Sequence, residues 1–87
     1  MQDGAQLKMR FDLHVHSNCS DGHDEVRTIL RAAARRGLAG ISITDHDTLQ
    51  GSLKAQKIIR EDKLDLILIP GAEITTAEGH LLVLGVL

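Results

Sequence analysis

From Phe11 to His16 the apolar side chains Phe11, Leu13 and Val15 alternate with Asp12, His14 and His16. That two-residue period predicts a β-strand with both histidines on one face. Residues 17–23 hold Asn, Ser, Asp and Gly, a loop composition with a turn signal at Asp21-Gly22. Val26, Ile29, Leu30, Ala33 and Ala34 then fall on one helical stripe. Asp24 is its expected N-cap, with acids in the first turn and Arg35 and Arg36 in the last, and Gly37 is the expected left-handed residue that ends it. Arg27 and Arg31, four apart on the opposite face, read as a solvated surface rather than a phosphate groove. A second short strand is predicted over 39–44, followed by a helix over about 49–61 that Thr48 or Asp47 can cap and that Gly51 weakens locally.

Residues 64–69 are nearly all apolar, as in a strand covered on both faces, and Pro70-Gly71 breaks the run. Residues 80–87 are apolar almost throughout and read as a further buried strand. Strand, helix, strand, helix, strand is the order of parallel βαβ units. Only six residues separate Glu73 from His80, too few for a crossover. The last strand should therefore return antiparallel through a hairpin near Ala77-Glu78-Gly79. A two-residue loop at either Ala77-Glu78 or Glu78-Gly79 would put Glu73 and His80 on the same face of the hairpin, whereas a three-residue loop would not. Residues 1–9 are polar and aperiodic, so an irregular tail is expected there and a single partial domain over 10–87.

Composition narrows the class. Eighty-seven residues allow one small domain, and 10 Lys+Arg against 12 Asp+Glu argue against general binding to nucleic acid or anionic membranes. Phe11 is the one aromatic residue in a chain that is 43% hydrophobic, so the core must be aliphatic. A chain of this size buries only about 60–65% of its unfolded surface, which makes a lone monomer marginal. A single cysteine, Cys19, forms no internal disulfide and points to a reducing, cytoplasmic setting. The longest apolar run, 66–70, is far short of the roughly 20 residues of a membrane span.

The chemistry lies at strand ends. His14 and His16 sit about 6.6 Å apart along one strand face, close enough to share a metal ion. Spacing alone leaves an ordinary pair of half-buried histidines equally open. Position favours the metal, because His14 and His16 end the first strand, Asp45-His46-Asp47 ends the second and Glu73 follows the third. The C-terminal rim of parallel strands is where sites are built. Asp12 shares the facing of His14 and either orients an imidazole or makes a local strand-end hydrogen bond. Cys19 lacks a partner thiol, His23 precedes a helix and Glu78 marks a hairpin tip, so each reads as having no role in the site. No phosphate-cradling G-x-x-x-x-G-K-[ST], no G-x-S-x-G and no C-x-x-C occurs.

Four segments, F-D-L-H-V-H-S-N-C-S-D-G at 11–22, I-T-D-H-D-T-L-Q-G at 43–51, I-P-G-A-E-I-T-T at 69–76 and G-H-L-L-V-L-G at 79–85, resemble in order the motifs of the PHP (polymerase and histidinol phosphatase) domain. The S-D-G and T-D-H-D-T wording resembles the small stand-alone phosphoesterases of that family more than the domain fused to bacterial replicative polymerases. The resemblance implies an α/β fold, a distorted TIM-like barrel of which this chain carries about the first three βα units and a hairpin strand. It also implies two or three divalent ions, Zn, Mn or Fe, that hydrolyse phosphate esters of small molecules or nucleotides by an activated water. By that pattern His14, His16 and Glu73 hold one ion, Glu73 bridges to a second also bound by His80, and Asp21 and His46 bind a third, with Asp12 and Asp45 in support.

Two departures set the alternative. The family pattern continues for more than this length again, with another strand-end histidine and a late D-x-H pair that are not found here, and residues 85–87 finish inside an apolar run. A non-catalytic half-barrel that binds metal or a partner is therefore the rival reading. Either self-association or membership of a longer chain is expected.

Overall fold

The structure, a computed structural model, describes residues 9–85. Its elements are β1 (Phe11–Val15), α1 (Val26–Arg35), β2 (Gly40–Ile43), α2 (Gln50–Asp62), β3 (Ile67–Leu68), β4 (Gly71–Thr76) and β5 (Gly79–Leu84). β1, β2 and β3 form a parallel sheet in that order, and β4 and β5 form an antiparallel hairpin. Sequence-consecutive parallel neighbours joined by helices are the βαβ arrangement that the hydrophobic pattern predicts. The irregular tail expected over 1–9 lies, apart from the exposed Met9, outside the described residues, as do positions 86 and 87 of the last apolar run. Among the described residues no helix is long and apolar enough to cross a membrane.

The core is aliphatic, as the composition requires. Val26, Leu30 and Ala33 of α1 and Ala55 of α2 bury against Ile41 and Ile43 of β2 and against Leu66. Strand pleating sends Ser42 and Thr44 to the opposite face of β2, where they are also buried. The end of α1 follows expectation: Gly37 takes φ 76°, its N–H donates to Ala34 O, and Leu38 N donates to Ala33 O. These two bonds satisfy carbonyls that the helix end leaves free.

Several expectations are corrected. Asp24 does not cap α1; the N-cap is Glu25, with no side-chain cap bond, and no acid lies in the first turn. The Asp24 carbonyl instead accepts from Asn18 N and closes the preceding loop. Arg27 and Arg31 are not simply solvated. Both reach Asp62 on α2, at 3.0 and 3.1 Å, and Arg27 also reaches Glu61. The Arg27 hydrogen bond is the chief cause holding the Asp62 carboxyl below its usual range, and Asp62 in turn raises the Arg27 guanidinium. Leu49 is the N-cap of α2, again without a side-chain cap bond, although Thr48 Oγ1 accepts from Gln50 N at 3.1 Å. Only Ile67 and Leu68 of the third apolar run pair as a strand, and Ile67 is half exposed, because the described chain covers only one side of that edge. β5 is likewise exposed at five of its six residues.

Gly51 was expected to be a weak point in α2 and is a requirement. A Cβ there would lie 2.1 Å from Asp45 Oδ2 and 2.6 Å from Ile43 Cγ2. The first turn of α2 comes that close to the end of β2, and only glycine leaves room for the buried carboxylate.

Candidate metal centre

β1 carries His14 and is followed directly by His16; its pairing with β2 slips between Asp12 and Val15, where three steps on β1 oppose two on β2. Such a bulge re-aims side chains. Both imidazoles converge on Glu73: His14 Nε2 donates to Glu73 Oε1 at 2.6 Å and His16 Nε2 to the same oxygen at 2.7 Å. The hairpin turns at Ala77-Glu78, with Thr76 opposite Gly79, so the two-residue alternative is the one adopted. Its consequence holds, since Glu73 and His80 share a face and His80 Nδ1 lies 2.9 Å from Glu73 Oε2.

The loop after β1 supplies Asp21, which stands between two imidazoles, 2.8 Å from His16 Nδ1 and 3.1 Å from His46 Nε2. Asp45 shapes that loop. Its buried carboxylate accepts from Ser17 N at 2.5 Å, Ser17 Oγ at 2.6 Å and Ser20 Oγ at 2.7 Å. Its supporting part is played through the loop backbone and hydroxyls rather than through a histidine ring. Asp12 takes the plainer of its two alternatives, accepting from the His14 backbone N–H at 3.3 Å and touching no imidazole. Cys19 packs against the core, while His23 and Glu78 are exposed.

All six expected ligands therefore meet at the C-terminal rim. They form three trios, His14/His16/Glu73, His16/Asp21/His46 and His46/Glu73/His80, and within each the donor atoms lie within 4.8 Å of one another. Ligand atoms held about 2.0–2.2 Å from one ion are themselves about 3–4.4 Å apart, so each trio is on the scale of a single ion. Imidazole with carboxylate is a donor set for divalent transition metals. The sequence reading did not foresee that His16 and His46 each belong to two trios, which is a matter of ring packing: the His16 and His46 centroids are 4.4 Å apart and those of His46 and His80 4.9 Å.

The electrostatics suit cations. The Glu73 side chain is 9% exposed and its carboxyl is lowered to about 2, chiefly by the hydrogen bonds from His14 and His16, against opposing desolvation. It is ionised at neutral pH. His14 and His80, with side chains 56% and 51% exposed, leave the cluster open on one side. Asp47, read from sequence as a helix cap and as part of the strand-end cluster, is neither: it is in none of the trios and bonds Thr75 instead. Its carboxylate accepts from Thr75 N and Thr75 Oγ1, both at 2.7 Å, and these bonds hold it below its usual range.

Parallel βα units with a histidine and carboxylate cluster at the strand ends define an α/β domain with a candidate metal centre. Residues 12–85 match the PHP domain model, and the chain belongs to the PHP domain family. It is 36% identical over 81 residues to the phosphoribosyl 1,2-cyclic phosphate 1,2-diphosphodiesterase of Eggerthella lenta, covering 86% of this chain and 30% of that protein. It is 39% identical over 71 residues to a 5'-3' exoribonuclease of Salmonella typhimurium, covering 80% and 24%. A Bifidobacterium adolescentis structure assigned to the metal-dependent phosphoesterases superposes with a TM-score of 0.68 at 38% identity, over 82% of this chain and 24% of that one. The chain spans less than a third of the length of these two curated relatives, 30% of one and 24% of the other.

Proposed function

We propose that this chain carries the metal-binding part of a phosphoesterase that cleaves phosphate esters of small molecules or nucleotides. The observation that carries the reading is convergence: six donor side chains form three overlapping trios at one rim, with the Glu73 carboxylate common to two of them. On this reading His14, His16 and Glu73 would hold one ion, the two oxygens of Glu73 would let it serve a second with His80, and Asp21 with His46 would hold a third; His16 and His46, with one free ring nitrogen each, would each serve a single ion. Bound there, divalent ions supply positive charge for a phosphoester and acidity for a water nucleophile. Glu73 stays ionised between its histidines, Asp45 holds the loop that presents Asp21, and the exposed flank at His14 and His80 admits the substrate. Imidazole-rich donors favour Zn, Mn or Fe. The parallel order β1-β2-β3 supports placing the sheet as part of a TIM-like barrel, and the lone half-buried Cys19 supports a cytoplasmic setting.

The sheet is not closed among the described residues, and this favours one rival: a half-barrel that binds ions but turns over feebly. Two measurements separate them. Protein purified without chelator should retain divalent ions, and Glu73→Gln should weaken Mn²⁺ binding by more than the roughly 10–100-fold that loss of an outer partner costs. Equal metal content in the two proteins overturns the reading. Hydrolysis of p-nitrophenyl phosphate and of its bis-ester by the metal-loaded chain then decides between enzyme and binding module, and between monoester and diester.

A further inference from the structure

We propose that Asp47 is a positioning residue, which with Thr75 forms a clasp that sets the hairpin ligands Glu73 and His80 against the ligands of β1 and β2. The inference rests on the metal-site reading above.

The two sheets are joined by a short parallel ladder. Glu73 N donates to Asp45 O at 3.0 Å, and Asp47 N donates to Glu73 O at 2.9 Å, with His46 and Glu73 bridged between them. The next bond of a parallel ladder would run from Thr75 N to the Asp47 carbonyl. It is replaced. Asp47 turns left-handed, at φ 54°, and its carboxylate takes both Thr75 N and Thr75 Oγ1 at 2.7 Å. The side chain thus continues the ladder at the point where the backbone must leave for α2.

Thr75 is well placed for this effect. It stands two residues from Glu73 on the same strand face, and it is the hairpin partner of His80. Fixing Thr75 therefore fixes the approach of both hairpin ligands to His14, His16 and His46. The trio His16/Asp21/His46 takes no member from the hairpin, and Asp21 itself bonds only to His16 and His46.

Asp, Asn and Gly tolerate the left-handed region, so the turn and the clasp can be separated. Asp47→Gly keeps the turn and removes the clasp, whereas Asp47→Asn keeps an acceptor for Thr75 N and a partner for its hydroxyl. The full chain and both variants are titrated with Zn²⁺ while NMR follows the rings of His14 and His80 and the amide of Asp21. His14 and His80 report the trios that contain Glu73, and Asp21 reports the third. In Asp47→Gly the His14 and His80 responses should need roughly 10–100-fold more Zn²⁺, the Asp21 response should move little, and the Thr75 amide should exchange faster with solvent in the metal-free protein. Asp47→Asn should restore all three.

Unchanged affinity in Asp47→Gly overturns the proposal, and so does an equal weakening of all three responses, which would mark general loss of stability. Failure of the wild-type chain to take up Zn²⁺ overturns the metal reading itself and this inference with it. The two failures are distinguishable by which protein shows them.

Discussion

β2 and β5 are both short apolar strands, yet every residue of β2 is buried and Leu81, Leu82 and Leu84 of β5 are 37–56% exposed. The difference is in what surrounds them. β2 has a strand on each side, helices over Ile41 and Ile43, and a tight cover over Ser42 where Gly71 approaches. β5 has one partner, β4, and the hairpin is fastened to the rest through polar bonds: Ser52 Oγ to Gly71, the ladder at 45–47 and the Asp47 carboxylate. The helix-covered half is held by aliphatic burial, whereas the hairpin buries only residues 71–73 at the start of β4 and is otherwise fastened by hydrogen bonds. The candidate site lies along the seam, with Glu73 and His80 from one half and His14, His16, Asp21 and His46 from the other.

That contrast can be broken from either side. The largest effect is expected in the helix-covered half, where Leu30→Ala removes a fully buried side chain and should cost about 2–5 kcal/mol in urea unfolding. Gly51→Ala comes next. An alanine in an exposed helix normally stabilises relative to glycine, but the contact with Asp45 should reverse the sign and cost about 1–3 kcal/mol. A melting temperature at or above wild type would show that the β2–α2 junction relaxes freely.

Smaller effects sharpen the comparison. Asp62 is held below its ordinary value of about 3.9 in the fold, so its pairing with Arg27 and Arg31 contributes stability above that value and loses it as pH falls through the lowered one. Asp62→Asn should therefore flatten the pH dependence of stability below about pH 4 and leave it unchanged at pH 7 to 8 in slope. High salt should weaken the pairing as well, because the arginines are exposed. Smallest of all, Leu81→Ala on the hairpin should stay within about 0.5 kcal/mol of wild type by the same urea measurement. A loss approaching that of Leu30→Ala would mean that Leu81 is covered in solution, as self-association through β5 would produce.

Much of the candidate site was legible because its side chains follow strand rules. Alternation placed His14 and His16 on one face, and a two-residue hairpin loop, one of the alternatives left open, would place Glu73 and His80 together; the structure adopts that loop and both relations hold. Burial was less legible. Apolar runs at 64–69 and 80–87 read as covered strands, but a run records only what a strand would tolerate on its faces, and Ile67 and Leu81 are exposed. Arg27 and Arg31 looked solvated because their partner Asp62 is 31 residues or more away, beyond the reach of helical periodicity.

The amino-acid order by itself determined the two helices, the parallel connection of the first three strands, the antiparallel return of the last strand and the strand-end placing of His14, His16, His46 and Glu73. These depend on local periods and short loops, which act over a few residues. Only the tertiary structure decided that His16 and His46 each belong to two trios, that Asp45 supports the candidate site through Ser17 and Ser20, that Gly51 must lack a side chain and that Asp47 binds Thr75 instead of capping α2. Each of these depends on the angle at which separate elements meet, and that angle is set by how helices and strands pack around one another rather than by any short stretch of chain.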